Sequence, residues 1–141
     1  METKVDNNQT RQQAKTVKAI GQHMKILVID DNEQTTTMLS KFFNAKGFEI
    51  TTANDPIEGL HLIRQEKFGV ILLDVMMPVI GGIGIIEILA GEDTLKDQNV
   101  FIFTGANLPE VQVKNLLRRD GVNGIVKKPF ELDNLLTTIL G

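Results

Sequence analysis

The stretch KILVIDDNE, residues 25–33, joins an uninterrupted apolar run to a pair of adjacent carboxylates. Residues 26–29 are all large aliphatic side chains, and such a run is typical of a strand that is buried on both faces. The segment after it has helical periodicity up to Gly47, and its apolar face is formed by Met38, Leu39, Phe42 and Phe43. The stretch therefore predicts a buried strand followed by an amphipathic helix.

The same strand-and-helix pattern occurs four more times along the chain. Asp55 and Pro56 begin the second helix as an N-cap and a first-turn proline, and Ile57, Leu60 and Ile63 recur at helical spacing after them. The further strands are expected at residues 48–52, 70–73, 100–103 and 125–127, and the later helices at residues 83–90, 109–119 and 131–140. Strands of this type belong in a parallel sheet with helices on both faces. The sequence therefore predicts an α/β fold with a doubly wound, open sheet of five parallel strands.

Composition excludes several classes of protein. The chain has no Cys and only two His, His23 and His61, which removes disulfides and thiolate chemistry and disfavours a zinc or iron–sulfur site. Residues 1–24 are polar and are expected to form a flexible tail, whereas residues 25–141 form the domain. The domain carries more acidic than basic residues, so nucleic acid is not expected as a ligand. Without an apolar run of about 18 residues, no membrane span is expected, and the predicted compartment is the cytoplasm.

Polar side chains follow four of the five predicted strands. In a doubly wound sheet, ligands bind beyond the carboxyl ends of the strands. The first strand leads into Asp30 and Asp31, the third into Asp74, the fourth into Thr104, and the fifth into Lys127, Lys128 and Pro129. One edge of the sheet is therefore expected to collect three carboxylates, a hydroxyl and an ammonium group.

These groups suggest a phosphoryl site. Carboxylates that lie close together need a positive partner to stay ionised, and oxygen ligands without His or Cys select a hard cation such as Mg²⁺. A lysine and a threonine beside the cation would bind phosphoryl oxygens. The group that accepts the phosphoryl would be one of the carboxylates, because Asp can form an acyl phosphate.

Four segments of the sequence, ILVIDDNE, ILLDVMMPVIGGIGIIEIL, FIFTGA and GIVKKPF, resemble the receiver domain of two-component response regulators. The resemblance covers residues 25–140, and the spacings agree: 44 residues from Asp30 to Asp74, 30 from there to Thr104 and 24 on to Lys128. It implies a flavodoxin-like (βα)5 fold with strand order 2-1-3-4-5. It also implies a phosphoprotein of phosphorelay signal transduction, and not an enzyme beyond self-phosphorylation and autodephosphorylation.

The resemblance assigns a role to each site residue. Asp74 would be the phosphoacceptor, and Asp31 and Asp30 would hold Mg²⁺ directly and through water, together with Asp74 and the backbone carbonyl of Met76. Thr104 would be the switch hydroxyl and Lys128 the lysine that binds the phosphoryl group, with Lys127 facing away. Pro78, Gly81 and Gly82 resemble the family's loop after the phosphoacceptor and are expected to leave Asp74 exposed, and Lys128–Pro129 resembles the family's cis peptide.

Four positions depart from the family pattern. Gly81 stands where the family usually has an acidic residue. Ile125 stands where many receivers have Tyr or Phe, so the output change is expected to be smaller or to use the fourth helix. Met76 and Ala106, two residues past Asp74 and Thr104, have no polar group to position a water, which predicts a comparatively long-lived acyl phosphate.

The expected partners are a histidine kinase or phosphotransfer protein and a downstream effector. The effector would bind the face formed by the fourth helix, the fifth strand and the fifth helix. The last helix has no Arg or Lys, so a monomer or weak dimer is expected. Whether the chain acts alone or within a longer protein is left open. The alternative is a pseudo-receiver that binds partners without phosphorylation, and a phosphatase of the haloacid dehalogenase class is disfavoured because the motif after the first strand differs.

Overall fold

A computed structural model describes residues 24–105 and 107–141 of the chain, so the tail before Met24 and the prediction for Ala106 lie outside the described residues. Five parallel strands form one sheet in the order β2-β1-β3-β4-β5, as predicted. They are β1 (Lys25–Ile29), β2 (Glu49–Ala53), β3 (Val70–Asp74), β4 (Val100–Thr104) and β5 (Val122–Lys127). The two central strands, β1 and β3, therefore end side by side at the carboxyl edge.

Helices cover both faces of the sheet, which is why β1, β3 and β4 each contain an unbroken run of four apolar residues. They are α1 (Glu33–Ala45), α2 (Pro56–Gln65), α3 (Gly81–Gly91), α4 (Glu110–Arg118) and α5 (Leu132–Leu140), with a short 3₁₀ helix at Leu95–Asp97. Side chains of β1 alternate between two hydrophobic clusters: Leu27 joins the cluster that includes side chains of α2, α3 and α4, and Val28 joins the cluster with those of α1 and α5. The predicted doubly wound arrangement is confirmed.

The helix N-termini follow the local sequence. Asn32 caps α1, and its side-chain oxygen accepts hydrogen bonds from the backbone N–H groups of Gln34 (2.9 Å) and Thr35 (3.2 Å). Asp55 caps α2 in the same way, and Pro56 occupies the first turn, as predicted. Both caps come two or three residues after a strand ends, so each helix begins directly above the carboxyl edge.

Four details of the sequence prediction are wrong. Strand β5 begins at Val122, three residues earlier than predicted. Helix α3 begins at Gly81, two residues earlier than predicted. Met38 and Ile57 are 43% and 58% exposed, although both were placed on apolar helix faces. Leu39 and Phe43 are buried as predicted, and together with Thr36 they recur at the i, i+3, i+7 spacing of one helical stripe; Met38 lies about 100° away from Leu39 around the helix.

Candidate functional site

Two of the three aspartates are buried at the carboxyl edge of the sheet. Asp30 follows β1 and is 0% exposed, and Asp74 ends β3 and is 4% exposed, whereas Asp31 is exposed. Carboxylate oxygens of the three residues lie within 4.8 Å of one another. The expectation that Asp74 would be left exposed is wrong, because the Lys128 side chain and the turn after β3 pack against it.

Lys128 reaches both buried carboxylates. Its Nζ lies 2.6 Å from Asp30 Oδ2 and 3.3 Å from Asp74 Oδ2, and the ammonium also lies 4.7 Å from the centroid of the Phe103 ring. The Lys128–Pro129 peptide is cis, as expected, and Lys127 is exposed. Lys128 is therefore the lysine that neutralises the cluster.

The turn after β3 fixes the other oxygen of Asp74. The backbone N–H of Met76 donates to Asp74 Oδ1 at 2.9 Å, while the Met76 side chain is 61% exposed. Gly82 packs so closely on the strand end that a Cβ there would lie 2.3 Å from the Asp74 carbonyl oxygen. Val79 has φ 73°, a left-handed conformation that is unfavourable for a β-branched residue. The sequence needs glycine at position 82 because no side chain fits there.

Burial and neighbouring charges shift the pKa values of Asp74 and Lys128. Burial raises the pKa of Asp74; the Met76 N–H and Lys128 oppose this, and the neighbouring Asp30 charge reinforces it. Burial alone would lower the pKa of Lys128, but its hydrogen bond to Asp30 and the charges of Asp30 and Asp74 outweigh burial, so its pKa is raised. The site therefore favours additional positive charge near Asp74.

Thr104 ends β4 in the strand next to Asp74. It is 1% exposed, and in the parallel register Asp74 pairs with Phe103, so Thr104 lies one position further along. Its carbonyl oxygen accepts a hydrogen bond of 2.9 Å from the backbone N–H of Lys128. The hydroxyl-bearing residue and the lysine are thus connected directly through the backbone.

Two residues of the site were missed by the sequence analysis. Asn54 Nδ2 lies 3.0 Å from the backbone carbonyl oxygen of Asp30 and 3.0 Å from Thr36 Oγ1. Asn54 directly follows β2, so the rule that polar chemistry follows strand ends could have identified it. Thr36 had a weaker signal: it is a hydroxyl residue three positions before Leu39, on the same side of α1.

The donor set suits a hard divalent cation. Within residues 24–105 and 107–141, three carboxylates face the ammonium group of Lys128, so one divalent ion would balance the remaining charge. All of the side-chain donors are oxygens, which Mg²⁺ and Ca²⁺ prefer. Burial raises the pKa of Asp74, and a bound cation would favour its ionised form. The residues present therefore fit such an ion.

A flavodoxin-like sheet with this cluster at its carboxyl edge defines a class of signalling domain. The sequence profile described as the response regulator receiver domain matches residues 26–140. The chain belongs to this family, whose members are signalling switches of two-component systems.

Individual relatives agree with this family. The chain is 30% identical over 116 residues to the transcriptional regulatory protein HprR of Escherichia coli, a match that covers 82% of this chain and 50% of HprR. The solved structure of the chemotaxis response regulator CheY4 of Vibrio cholerae at low pH has a TM-score of 0.72 and 30% identity, covering 83% of this chain and 96% of that one. A response regulator of Burkholderia pseudomallei was solved with a phosphorylated aspartic acid, a calcium ion and citrate. It has a TM-score of 0.71 and 26% identity, and the match covers 82% of this chain and 66% of that one.

The chain spans about half the length of the transcriptional regulators it matches, 50% for HprR. Among residues 24–105 and 107–141, no helix is both long enough and apolar enough to cross a membrane.

Proposed function

We propose that Asp74 accepts a phosphoryl group from a phosphohistidine of a histidine kinase or phosphotransfer protein, and that the phosphorylated form changes its affinity for an effector protein. The observation that carries the proposal is the position of Asp74, buried beside Asp30 with one oxygen held by Met76 N–H and the other against Lys128. A structural N-cap aspartate would not need a second buried carboxylate and a lysine. Cytoplasmic location and the monomeric or weakly dimeric state expected from the sequence belong to the same proposal.

The chemistry is a phosphoryl transfer between two residues. A carboxylate oxygen of Asp74 attacks phosphorus, the P–N bond of the donor breaks, and the imidazole leaves as the acyl phosphate forms. The Met76 N–H keeps one carboxylate oxygen in place, and the Lys128 ammonium neutralises charge on the phosphoryl oxygens. Asp30, Asp31, Asp74 and the carbonyl of Met76 would hold Mg²⁺, which supplies charge neutralisation when bound. The phosphorylated aspartate and calcium ion of the Burkholderia relative support this arrangement.

The switch would act through Thr104 and the fifth strand. Thr104 lies beside Asp74 and is bonded through its carbonyl to Lys128, so a phosphoryl group that attracts both side chains pulls on β4 and β5 together. Ile125 in β5 pairs with Ile102 of β4 and is partly buried. The surface of α4, β5 and α5 would then change for an effector, with an aliphatic side chain in place of an aromatic one.

The acyl phosphate should be long-lived. Met76 lies two residues past Asp74, and its exposed side chain has no polar group to orient a water molecule. We expect Met76→Asn to shorten the half-life of the phosphorylated protein, measured by intact mass after removal of the donor. An equal or longer half-life in Met76→Asn would contradict this expectation.

The experiment that tests the proposal is intact mass spectrometry after incubation with acetyl phosphate and MgCl₂. We expect the wild-type protein to gain one phosphoryl group. Asp74→Asn should gain none, and Asp120→Asn, which changes an exposed aspartate outside the site, should gain one as the wild type does. Omission of MgCl₂ should abolish the gain. No gain in the wild-type protein would contradict the proposal and favour a phosphorylation-independent interaction module.

A further inference from the structure

Asp30 is held by hydrogen bonds on each side of its α-carbon. Its N–H donates to the carbonyl of Ala53 at 3.1 Å, and its carbonyl accepts from Asn54 Nδ2 at 3.0 Å. Its carboxylate accepts a third hydrogen bond, from the backbone N–H of Asn32, at 3.0 Å. The first two bonds come from the end of β2, so β2 fixes the backbone at the end of β1.

The hydrogen bond from Asn54 orients Asp31 as well as Asp30. The carbonyl of Asp30 belongs to the planar peptide that leads to Asp31, and a planar peptide is oriented as one unit. Asn54 therefore also sets the direction in which the exposed side chain of Asp31 projects from the backbone. Asp30 and Asp31 supply two of the three carboxylates of the cluster, and their relative orientation depends on this one peptide.

Thr36 holds Asn54 in this position. The Thr36 side chain is buried in the first turn of α1, where its hydroxyl donates to the carbonyl of Glu33 at 3.1 Å and accepts from Asn54 Nδ2 at 3.0 Å. The donor and acceptor capacities of the hydroxyl are both used. The amide of Asn54 is thereby fixed between the start of α1 and the end of β1.

We infer that Asn54, oriented by Thr36, is a positioning residue that aligns Asp30 and Asp31 for a divalent cation. The inference rests on the proposed function, because it assigns these carboxylates to the metal. Groups that orient metal ligands affect affinity without touching the ion. Loss of the Asn54 amide frees the Asp30–Asp31 peptide to rotate and costs affinity for the ion.

The test is calorimetric titration of the full chain with MgCl₂. We expect Asn54→Ala to raise the Kd for Mg²⁺ by about tenfold, the lower end of the range for such positioning groups. Thr36→Val keeps the shape of Thr36 but removes the hydroxyl, and should raise the Kd for Mg²⁺ less than Asn54→Ala does. Thr36→Ser keeps the hydroxyl and should bind as the wild type does. The double variant of Asn54→Ala and Thr36→Val should bind no more weakly than Asn54→Ala alone, because both changes remove the same contact.

The chain offers a matched control at the opposite edge of the sheet. Asn99 precedes β4, and its Nδ2 donates to the carbonyl of Gly69 at 2.9 Å, a bond of the same kind between two segments of backbone. Asn99→Ala should lower the thermal stability measured in EDTA, as Asn54→Ala does, but leave the Kd for Mg²⁺ unchanged. A role confined to stability would make the two variants behave alike.

Failure of the inference and failure of the proposed function give different results. If the wild-type protein binds Mg²⁺ and Asn54→Ala and Thr36→Val bind it equally well, the inference is overturned and the proposed function stands. If the wild-type protein does not bind Mg²⁺, the metal-dependent function is overturned together with the inference.

Discussion

The centre of the sheet and its β5 edge are built differently. Every residue of β3 and β4 is buried, and β1 is buried from Ile26 to Ile29, whereas only Val122 of β5 is buried. The helices show the same contrast, since α3 buries five side chains or glycines and α4 buries only Leu116. The buried aspartates stand on the central strands, and the lysine that reaches them comes from the end of the loosely packed edge strand.

This difference in packing suits the central strands to holding the phosphoryl site and suits α4 and β5 to changing conformation. A site that must hold three carboxylates in register needs a rigid support, and the buried centre provides one. Segments with few buried contacts are the ones that move at low cost in free energy. We therefore expect a change at Asp74 to leave β1 and β3 in place and to shift α4 and β5.

Removing matched side chains should give the largest contrast between the two regions. Ile102 in β4 and Ile125 in β5 are register partners, but Ile102 is 0% exposed and Ile125 is only partly buried. We expect Ile102→Ala to lower the free energy of unfolding by about 4 kcal/mol and Ile125→Ala by about 1 kcal/mol, measured by urea denaturation. Equal losses would show that the edge is packed as tightly as the centre.

Loss of the Lys128 ammonium should have the next largest effect on the free energy of unfolding. Lys128→Met keeps the apolar stem but leaves Asp30 and Asp74 buried together without a cation, which should lower the free energy of unfolding by about 2 kcal/mol in EDTA. MgCl₂ should restore part of this loss. The exposed neighbour provides the control, since Lys127→Met should change stability by less than about 0.5 kcal/mol. Similar losses in the two variants would contradict the assignment of Lys128.

Asp74→Asn is expected to have a smaller effect on stability, and to raise stability rather than lower it. Because burial raises the pKa of Asp74, the folded protein binds the proton more tightly than the unfolded chain, and the free energy of unfolding falls as pH rises through this pKa. At neutral pH in EDTA, Asp74→Asn should therefore melt a few degrees above the wild type, and this advantage should shrink at acidic pH and in MgCl₂. A lower melting temperature at neutral pH would mean that ionised Asp74 stabilises the fold.

The smallest effect should come from the turn between the centre and α3. Val79 is 89% exposed and has a left-handed backbone, so its side chain contributes strain and little packing. Asn tolerates this conformation, and Val79→Asn should raise the free energy of unfolding by about 1 kcal/mol while the Kd for Mg²⁺ stays unchanged. A loss of stability would show that Val79 makes contacts that compensate for its backbone.

Most of the fold could be predicted from the sequence because it depends on local patterns. Apolar runs predicted β1, β3 and β4, and caps such as Asp55 with Pro56 predicted where helices begin. The start of α3 could not be predicted in this way, because Ile80 at its N-cap makes no side-chain cap hydrogen bond. The exposure of Met38 could not be predicted either, since it depends on how α1 is rotated against the sheet.

The candidate site was predictable to the extent that it lies at strand ends. Asp30, Asp74 and Lys128 were found by that rule, and the structure brings them together. The burial of Asp74 was not foreseen, because it results from a lysine 54 residues away in sequence. The contact of Asn54 with Thr36 also joins the segment after β2 to helix α1, and no spacing in the sequence indicates it.

The most direct test of the account is amide hydrogen exchange with and without phosphorylation. The wild-type protein would be kept in MgCl₂ with acetyl phosphate, and Asp74→Asn under the same conditions would be the control. We predict that exchange changes in α4 and β5 of the wild-type protein, stays unchanged in β1 and β3, and changes nowhere in Asp74→Asn. Unaltered exchange in α4 and β5 of a protein that mass spectrometry shows to be phosphorylated would contradict this prediction.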